Sequence, residues 1–493
     1  MCGIVADHGT NRSETGRRML ARIEHRGPDD VGCRQVAETW LGHTRLSIVD
    51  VAGGVQPLRD DAGTWMVGNG EIYNHVELRR RLGPHRFRTG SDNEAALHAV
   101  TAWGPEGLAE LRGMFAIVVA GEDGSIVAAR DPLGIKPLYW VRSDDRYLFA
   151  SELRAFDPAV RVHVETFPPG HWWTPDRGLV RYADLTTDDE MFTDPAHARE
   201  AVRVVLDTAV RRRLMSDVGI GVFLSGGLDS SIVAALAAAA AAERGERLQS
   251  FATGLAGSAD ISAARRVAEH LKLDHHEVLF DADELVAAVP AVVDALESFE
   301  PSLVRSALPN FFLARLASQY AKVVLTGEGA DELFAGYDYL RGIDDVNLAD
   351  ELLATVKGLH DLNLQRCDRL TMAHGLEARV PFLDLDVIAV AQRIPVAWKL
   401  PGELGQEKRL LREAFEGMVP DDVLWRRKQQ FGDGSGAGAV LRARAAEVVE
   451  PDAPRAPDLP EPRSAEERAY QQLFSRTHAG FDPRTVLGRF ATP

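Results

Sequence analysis

The stretch Val222–Ser231 reads VFLSGGLDSS, and the fold of the C-terminal half turns on it. An apolar run, Ile220 to Leu224, has the composition of a strand and ends in Ser225. Gly226 and Gly227 let the backbone turn tightly and approach a ligand without a Cβ. Asp229, Ser230 and Ser231 follow as cap and ligand groups, and Ile232–Ala242 is an Ala-rich run of high helix propensity. Strand, glycine turn and helix start aim backbone N–H groups and a helix N-terminus at one spot, which suits an anion. No Gly-Lys-Ser/Thr follows, so this is not a Walker A loop. The plainer reading is an ordinary strand-to-helix turn with a Gly-Gly bend.

Outward from this stretch, strands alternate with helices. Gly219–Leu224, Gln249–Leu255, His276–Phe280 and Lys322–Leu325 read as strands, with helices from Ser231 and Ser262 between them. Such alternation predicts a parallel α/β sheet with helices on both faces. A ligand should sit at the carboxyl ends of its strands. Ser250–Asp260 (SFATGLAGSAD) places Thr253 at such an end, and Asp260 reads equally as a helix cap or a ligand. Leu325–Tyr337 (LTGEGADELFAGY) is a second strand end with a glycine turn, where Glu328 and Asp331 stand three apart. Carboxylates beside a phosphate site suit Mg²⁺, and they equally suit the dipole of a first helical turn. Trp425–Gly434 (WRRKQQFGDG) carries Lys428 in a glycine-ended segment. His275, His276 and Glu277 match a helix-to-strand junction better than a metal site. Arg211–Arg213 reads as a dipole-matched helix end on the surface.

The N-terminal half begins with chemistry. Removal of the initiator Met would leave Cys2 with both a thiol and a free α-amine, one residue supplying nucleophile and base. The alternative is a buried structural cysteine beside a first strand. Downstream come His25–Asp29 (HRGPD), Gly42–Asp50 (GHTRLSIVD), Gly68–His75 (GNGEIYNH), Gly90–Glu94 (GSDNE), Asp131–Tyr139 (DPLGIKPLY) and Phe149–Glu152 (FASE). Alternation puts Arg45 and Leu46 on opposite faces of a strand. His25, Arg26 and Asp29 read as scaffold around a loop. A Pro-rich join at Phe167–Gly170 and an acidic stretch from Tyr182 to Pro195 divide the chain into 1–190 and 196–493.

Composition bounds the function. The chain has 493 residues, 45% of them apolar, which suits about two to four soluble domains. A net charge of −17 gives no bulk pull toward nucleic acid or anionic lipid. Three cysteines make no disulfide framework, so a reducing, cytoplasmic compartment is expected. No run is long and apolar enough to span a bilayer, and the first residues lack a signal-type pattern. The Pro-rich acidic tail at Pro451–Pro462 reads as a loose connection.

The N-terminal strings together resemble the glutaminase domain of class II glutamine amidotransferases, over about Cys2 to Phe167. The C-terminal strings, with Gln365–Asp384 (QRCDRLTMAHGLEARVPFLD) and Thr485–Phe490, resemble the synthetase domain of glutamine-dependent asparagine synthetases. The resemblance implies an N-terminal-nucleophile αββα sandwich followed by an α/β domain with a parallel sheet flanked by helices. It implies glutamine hydrolysis at Cys2, with Asn69 and the Gly70 N–H as oxyanion donors. Arg45, Leu46, Glu71 and Asp92 would then bind glutamine. It makes Phe223, Ser225, Gly226, Gly227, Asp229, Ser230, Thr253, Thr326 and Gly327 an ATP and pyrophosphate site. Asp229 and Asp331 would hold Mg²⁺, Glu328 would act as base on ammonia, and Lys428 would meet the phosphates. Arg305 would bind the acceptor carboxylate, aspartate being the leading one. ATP and Mg²⁺ are the implied cofactors, the partners are small molecules, and a homodimer is compatible with the family.

One segment departs from that pattern. In Glu297–Tyr320, residues Glu300, Pro301, Ser302, Leu303 and Ala307-Leu308-Pro309 replace a Thr-rich family stretch, while Arg305 is kept. More apolar residues there suggest room for a bulkier acceptor. The alternatives are therefore amidation of another carboxylate, or a non-catalytic sensor of glutamine or ATP. A sensor would show erosion of Cys2, Asp229 or Glu328, and none is eroded.

Overall fold

A computed structural model describes residues 2–9, 13–143, 146–186, 189–401, 405–428, 431–448 and 458–490. Met1, Gln429, Gln430, part of the acidic join and most of the Pro451–Pro462 tail lie outside the described residues.

The N-terminal half is two six-stranded antiparallel sheets. The first runs Val164–Thr166, Tyr139–Ser143, Arg146–Ala150, Cys2–His8, Thr39–Arg45, Asp30–Val36. The second runs Gly178–Arg181, His171–Thr174, Ile126–Arg130, Gly113–Gly121, Thr64–Ile72, Leu58–Arg59. Period-two patterning explains the layering. In Gly113–Gly121, Ala116, Val118 and Ala120 point at the other sheet and pack with Ile4, Ala6 and Leu41. Phe115, Ile117 and Val119 point the other way, onto Leu78, Ala95 and Leu97 of the helices His75–Leu82 and Asn93–Trp103. Met19 and Leu20 of the helix Ser13–Ala21 cover the outer face of the first sheet against Val5 and Trp40. Each fully buried side chain of this kind contributes about 1.5–3 kcal/mol. The result is the expected helix–sheet–sheet–helix sandwich.

The C-terminal half is built on a five-stranded sheet, all of whose neighbours are parallel: Asp274–Phe280, Gln249–Leu255, Ile220–Phe223, Val323–Leu325, Glu377–Arg379. Val222, Phe251 and Val324 pack with Ile232 and Val233 of the helix Leu228–Ala242 and with Val267 of the helix Ala259–Leu271. The chain runs outward from Ile220–Phe223 in one direction, then crosses back to its other side. That reversal is a topological switch point, where a crevice opens at the strands' carboxyl ends. The loops after Phe223 and after Leu325 flank it.

Two differences from the sequence reading matter. The helix begins at Leu228 rather than Ser231, because Gly227 takes the cap position and its carbonyl accepts from the hydroxyls of Ser230 and Ser231. Asp229 is thereby the second helical residue and not part of the approach to it. The strand Glu377–Arg379 was not anticipated: three residues are too few to show a period. It forms the edge of the parallel sheet that meets the sandwich.

Candidate active sites

The first site starts where two strand ends meet. Antiparallel register sets Cys2 directly across from Arg45. The other sheet brings Asn69 against Cys2, whose N–H donates to Asn69 Oδ1 at 3.0 Å. That bond fixes which end of the amide is oxygen. Asn69 is fully buried and its Nδ2 has no partner among the described residues. A buried, unmatched N–H₂ costs about 1–3 kcal/mol unless a ligand takes it up. Gly70 follows, its carbonyl held by Asn93 Nδ2 at 2.9 Å. Arg45 is buried, and its guanidinium donates to the carbonyls of Val51 (3.0 Å) and Asp50 (2.7 Å). Among the described residues it meets no carboxylate, so a fixed positive charge is left for a ligand. Leu46 is buried beside it, just past the strand end at Arg45.

Asp92 sits at the cap position of the helix Asn93–Trp103 but makes no cap bond. Its Oδ2 instead accepts from the Ile72 N–H at 2.6 Å, which ties it to the strand carrying Asn69. Burial raises its pKa. Burial, then Asp92 and Glu377, push the Glu71 carboxyl well up. Glu71 Oε1 lies 3.3 Å from Arg379, across the seam, and its Oε2 has no partner among the described residues. Burial also raises the Cys2 thiol, so a base must take its proton.

The second site is a cavity of about 620 Å³ at the switch point. Phe223, Ser225, Gly227, Asp229, Ser230, Thr253, Thr326, Gly327, Glu328, Asp331 and Lys428 all line it. Gly226 has φ +69°, and a Cβ there would stand 2.5 Å from the Ala264 nitrogen, so only glycine fits the turn. The Ser225 N–H and hydroxyl meet Ser230 Oγ at 3.2 and 3.0 Å, which closes the loop into a concave ring. Thr253 Oγ1 donates to the Val278 carbonyl. Asp260 neither caps its helix, which Ser258 does, nor faces a ligand freely, because Arg426 pairs with it at 2.8 Å.

The centre of this cavity was not legible in the sequence. Lys408, only 2% exposed, donates to both oxygens of Asp229 at 2.6 and 2.5 Å and stands 2.6 Å from Asp331 Oδ1. Although burial opposes its charge, Asp229 and Asp331 keep the ammonium protonated. Lys428 also donates to Asp331, and to the Gly336 carbonyl at 3.0 Å. Glu328 is held by Arg366, whose Nη1 donates to Ser306 Oγ at 2.9 Å. One signal for Lys408 was available: it directly precedes the helix Arg409–Ala414, where a cation opposes the dipole. Arg213 also differs from its surface reading, being buried and bonded to Asp384 at 2.7 Å.

Arg305 lines the cavity from the helix Pro301–Ala317, where Glu466 (2.9 Å) and Ser302 (2.9 Å) hold it. The sequence suggested that Pro301, Leu303 and Leu308 widen the acceptor pocket. They do not: none lines the cavity, and Leu303 and Leu308 pack in the core behind it with Leu285, Phe299 and Leu473. Helical spacing sends Ser302, Arg305 and Ser306 to the cavity and the replaced apolar residues to the opposite face.

The crowding around Asp331 makes one test. A Cβ on Gly336 would lie 1.9 Å from Asp331 Oδ1 and 2.5 Å from Lys408 Cε. Gly336→Ala should therefore displace the carboxylate and slow ATP-dependent chemistry on the order of 10²-fold. Hydrolysis at the Cys2 site should be unchanged, as read by glutamate release.

A sandwich with a buried Cys2 beside an open Asn69 amide, joined to a parallel sheet whose glycine turns line a cavity, has the two-part build of an amidotransferase-synthetase. Residues 1–172 match the family model of the glutamine amidotransferase domain, and residues 201–348 and 342–481 match that of asparagine synthase. The chain is 38% identical, over its full length, to a glutamine-hydrolyzing asparagine synthetase of Asparagus officinalis, covering 88% of that protein. It is 39% identical to glutamine-hydrolyzing asparagine synthetase 3 of Arabidopsis thaliana, over 88% of this chain and 79% of that one. A Zea mays enzyme of the same name is 38% identical over 88% of this chain and 78% of its own. The chain belongs to the family of glutamine-hydrolyzing asparagine synthetases.

Proposed function

We propose that this chain makes asparagine from aspartate, glutamine and ATP, releasing glutamate, AMP and pyrophosphate. The observation that carries the reading is the pairing, in one chain, of an open oxyanion donor at Cys2 with a carboxylate–lysine cluster at the anion loop. At the first site Cys2 Sγ attacks the glutamine amide carbon, and its α-amine takes the thiol proton. Asn69 Nδ2 and the Gly70 N–H receive the oxyanion. Arg45 pairs with the substrate carboxylate, and Asp92 and Glu71 with its ammonium. Ammonia leaves with the proton, and water then frees glutamate from the thioester.

At the second site the β-carboxylate of aspartate attacks the α-phosphorus of ATP, and pyrophosphate departs along the Ser225–Ser230 loop. Lys428 and Lys408 supply positive charge there. Ammonia attacks the acyl-adenylate carbonyl, Glu328 accepts a proton, and AMP leaves. Asp229 and Asp331 are the residues that would hold a divalent cation, and to do so they would have to give up the Lys408 ammonium that bridges them in this structure. When bound, such an ion would add charge neutralisation to the leaving pyrophosphate. Among the described residues no helix is long and apolar enough to cross a membrane. A reactive Cys2 thiol is consistent with a reducing compartment such as the cytoplasm.

The test supplies ATP, glutamine and a panel of carboxylates, then identifies AMP and the amide by mass. Asparagine with AMP supports the reading; ADP and phosphate would sink it. Arg305→Lys adds a check on the acceptor. Its two bonds use two of five N–H groups, so the fork can still meet the acceptor α-carboxylate. Lysine keeps the charge and loses the fork, so acceptor use should weaken by about 1.5–3 kcal/mol with glutamine hydrolysis unaffected.

A further inference from the structure

Arg26 has no exposed surface and makes four bonds at once. Its Nε donates to the Cys2 carbonyl at 3.0 Å. Its Nη1 donates to Glu152 Oε1 at 2.7 Å and to Asp368 Oδ2 at 2.8 Å. Its Nη2 reaches Asp368 Oδ1 at 3.1 Å, which completes a two-pronged pair. Asp368 belongs to the C-terminal half, on the helix Asn363–Met372, and is itself buried. The same helix carries Arg366, which holds Glu328, and Cys367, which lines the ATP-side cavity. A continuous line of bonds thus runs from the Cys2 backbone to the wall of the second site.

We propose that Asp368 is a positioning residue for Cys2, supplied across the seam by the half of the chain that binds ATP. The inference rests on the reading of Cys2 as the glutamine nucleophile. With the initiator Met removed, as the nucleophile reading requires, Cys2 is oriented by what its own backbone meets. Its thiol and amine directions follow from its own N–H, held by Asn69, and its own carbonyl, held by Arg26. Arg26 is a long side chain with many rotamers, and a fork clamped at both Nη atoms leaves its Nε one direction. Glu152 shares Nη1, and Asp368 alone holds both Nη atoms and so fixes the plane of the fork. In this arrangement the glutaminase site is incomplete without the C-terminal half, and movement of the helix Asn363–Met372 reaches both reaction centres.

Asp368→Asn keeps the shape and removes the charge. In the full-length enzyme, kcat for glutamine hydrolysis should fall on the order of 10–100-fold, the scale of a small misplacement of a reacting atom. KM for glutamine should stay within about twofold, since neither Arg45 nor Asp92 touches Asp368. AMP formation from ammonium salt should stay within about threefold, and Asp368→Glu should recover part of kcat. Arg26→Lys, which cannot span Cys2, Glu152 and Asp368 together, should reproduce the kcat-only loss. Unchanged kcat in either variant overturns the proposal. So does a parallel loss of ammonium-dependent synthesis, which would mark a general structural defect. Wild-type enzyme that releases no glutamate would instead sink the nucleophile reading itself.

Discussion

Cys2→Ala should abolish synthesis from glutamine, by on the order of 10⁴-fold or more, while synthesis from added ammonium salt should persist. Two features set this expectation. No neighbouring group can replace the nucleophile: among the described residues, Cys33 is exposed on an outer strand and Cys367 lies on the helix Asn363–Met372 in the C-terminal half. The contacts of Cys2, to Asn69, Arg26 and Arg45's strand, also touch nothing at the anion loop. The thiol is small and its removal leaves a cavity of one sulfur, so the fold should survive. The measurement is glutamate, AMP and asparagine release with each nitrogen source. Equal loss with both sources would assign Cys2 a structural role.

Asp331→Asn should remove AMP and pyrophosphate formation with either nitrogen source, on the order of 10²–10³-fold. Asp331 holds both Lys408 and Lys428, and these two ammonium groups hold its carboxyl far below the usual carboxylate range despite burial. Asparagine cannot neutralise them. Lys408 would keep Asp229 as its only carboxylate partner among the described residues, and Lys428, one-fifth exposed, would lose the carboxylate it donates to. They should swing away from the phosphate positions or toward Asp229. Glutamine hydrolysis, measured as glutamate release, should be nearly untouched. AMP formation at the wild-type rate would show that Asp331 serves only the first turn of its helix.

Much of this site was legible because its parts are local. Ser225, Gly226, Thr326 and Glu328 sit in glycine turns at strand ends, with Asp229 and Asp331 in the helical turns that follow, and such a run is written in consecutive residues. Asn69 and Asp92 were named through the family resemblance of the strings GNGEIYNH and GSDNE. The residues that were missed act over long distances in the chain. Lys408 meets an aspartate 179 residues away, and Arg26 meets Asp368 across 342 residues. Lys408 stands alone in the sequence and reads as solvated surface, while Arg26, read within HRGPD as scaffold, gives no sign there of its distant partner.

What the sequence by itself determined is therefore the class of fold and the identity of the two constellations. The resemblance of the N-terminal strings to a known family implied the sandwich, the strand–helix rhythm predicted the parallel sheet, and glycine turns marked where a ligand could approach. Only the tertiary structure decided which face of the helix Pro301–Ala317 meets the acceptor cavity. It alone showed that Lys408 occupies the point between Asp229 and Asp331, and that Asp368 reaches back to Cys2. The physical reason is burial of charge. A buried ion must find its counter-ion in three dimensions, whatever the spacing along the chain, because the cost of leaving it unpaired exceeds the stability of most single contacts.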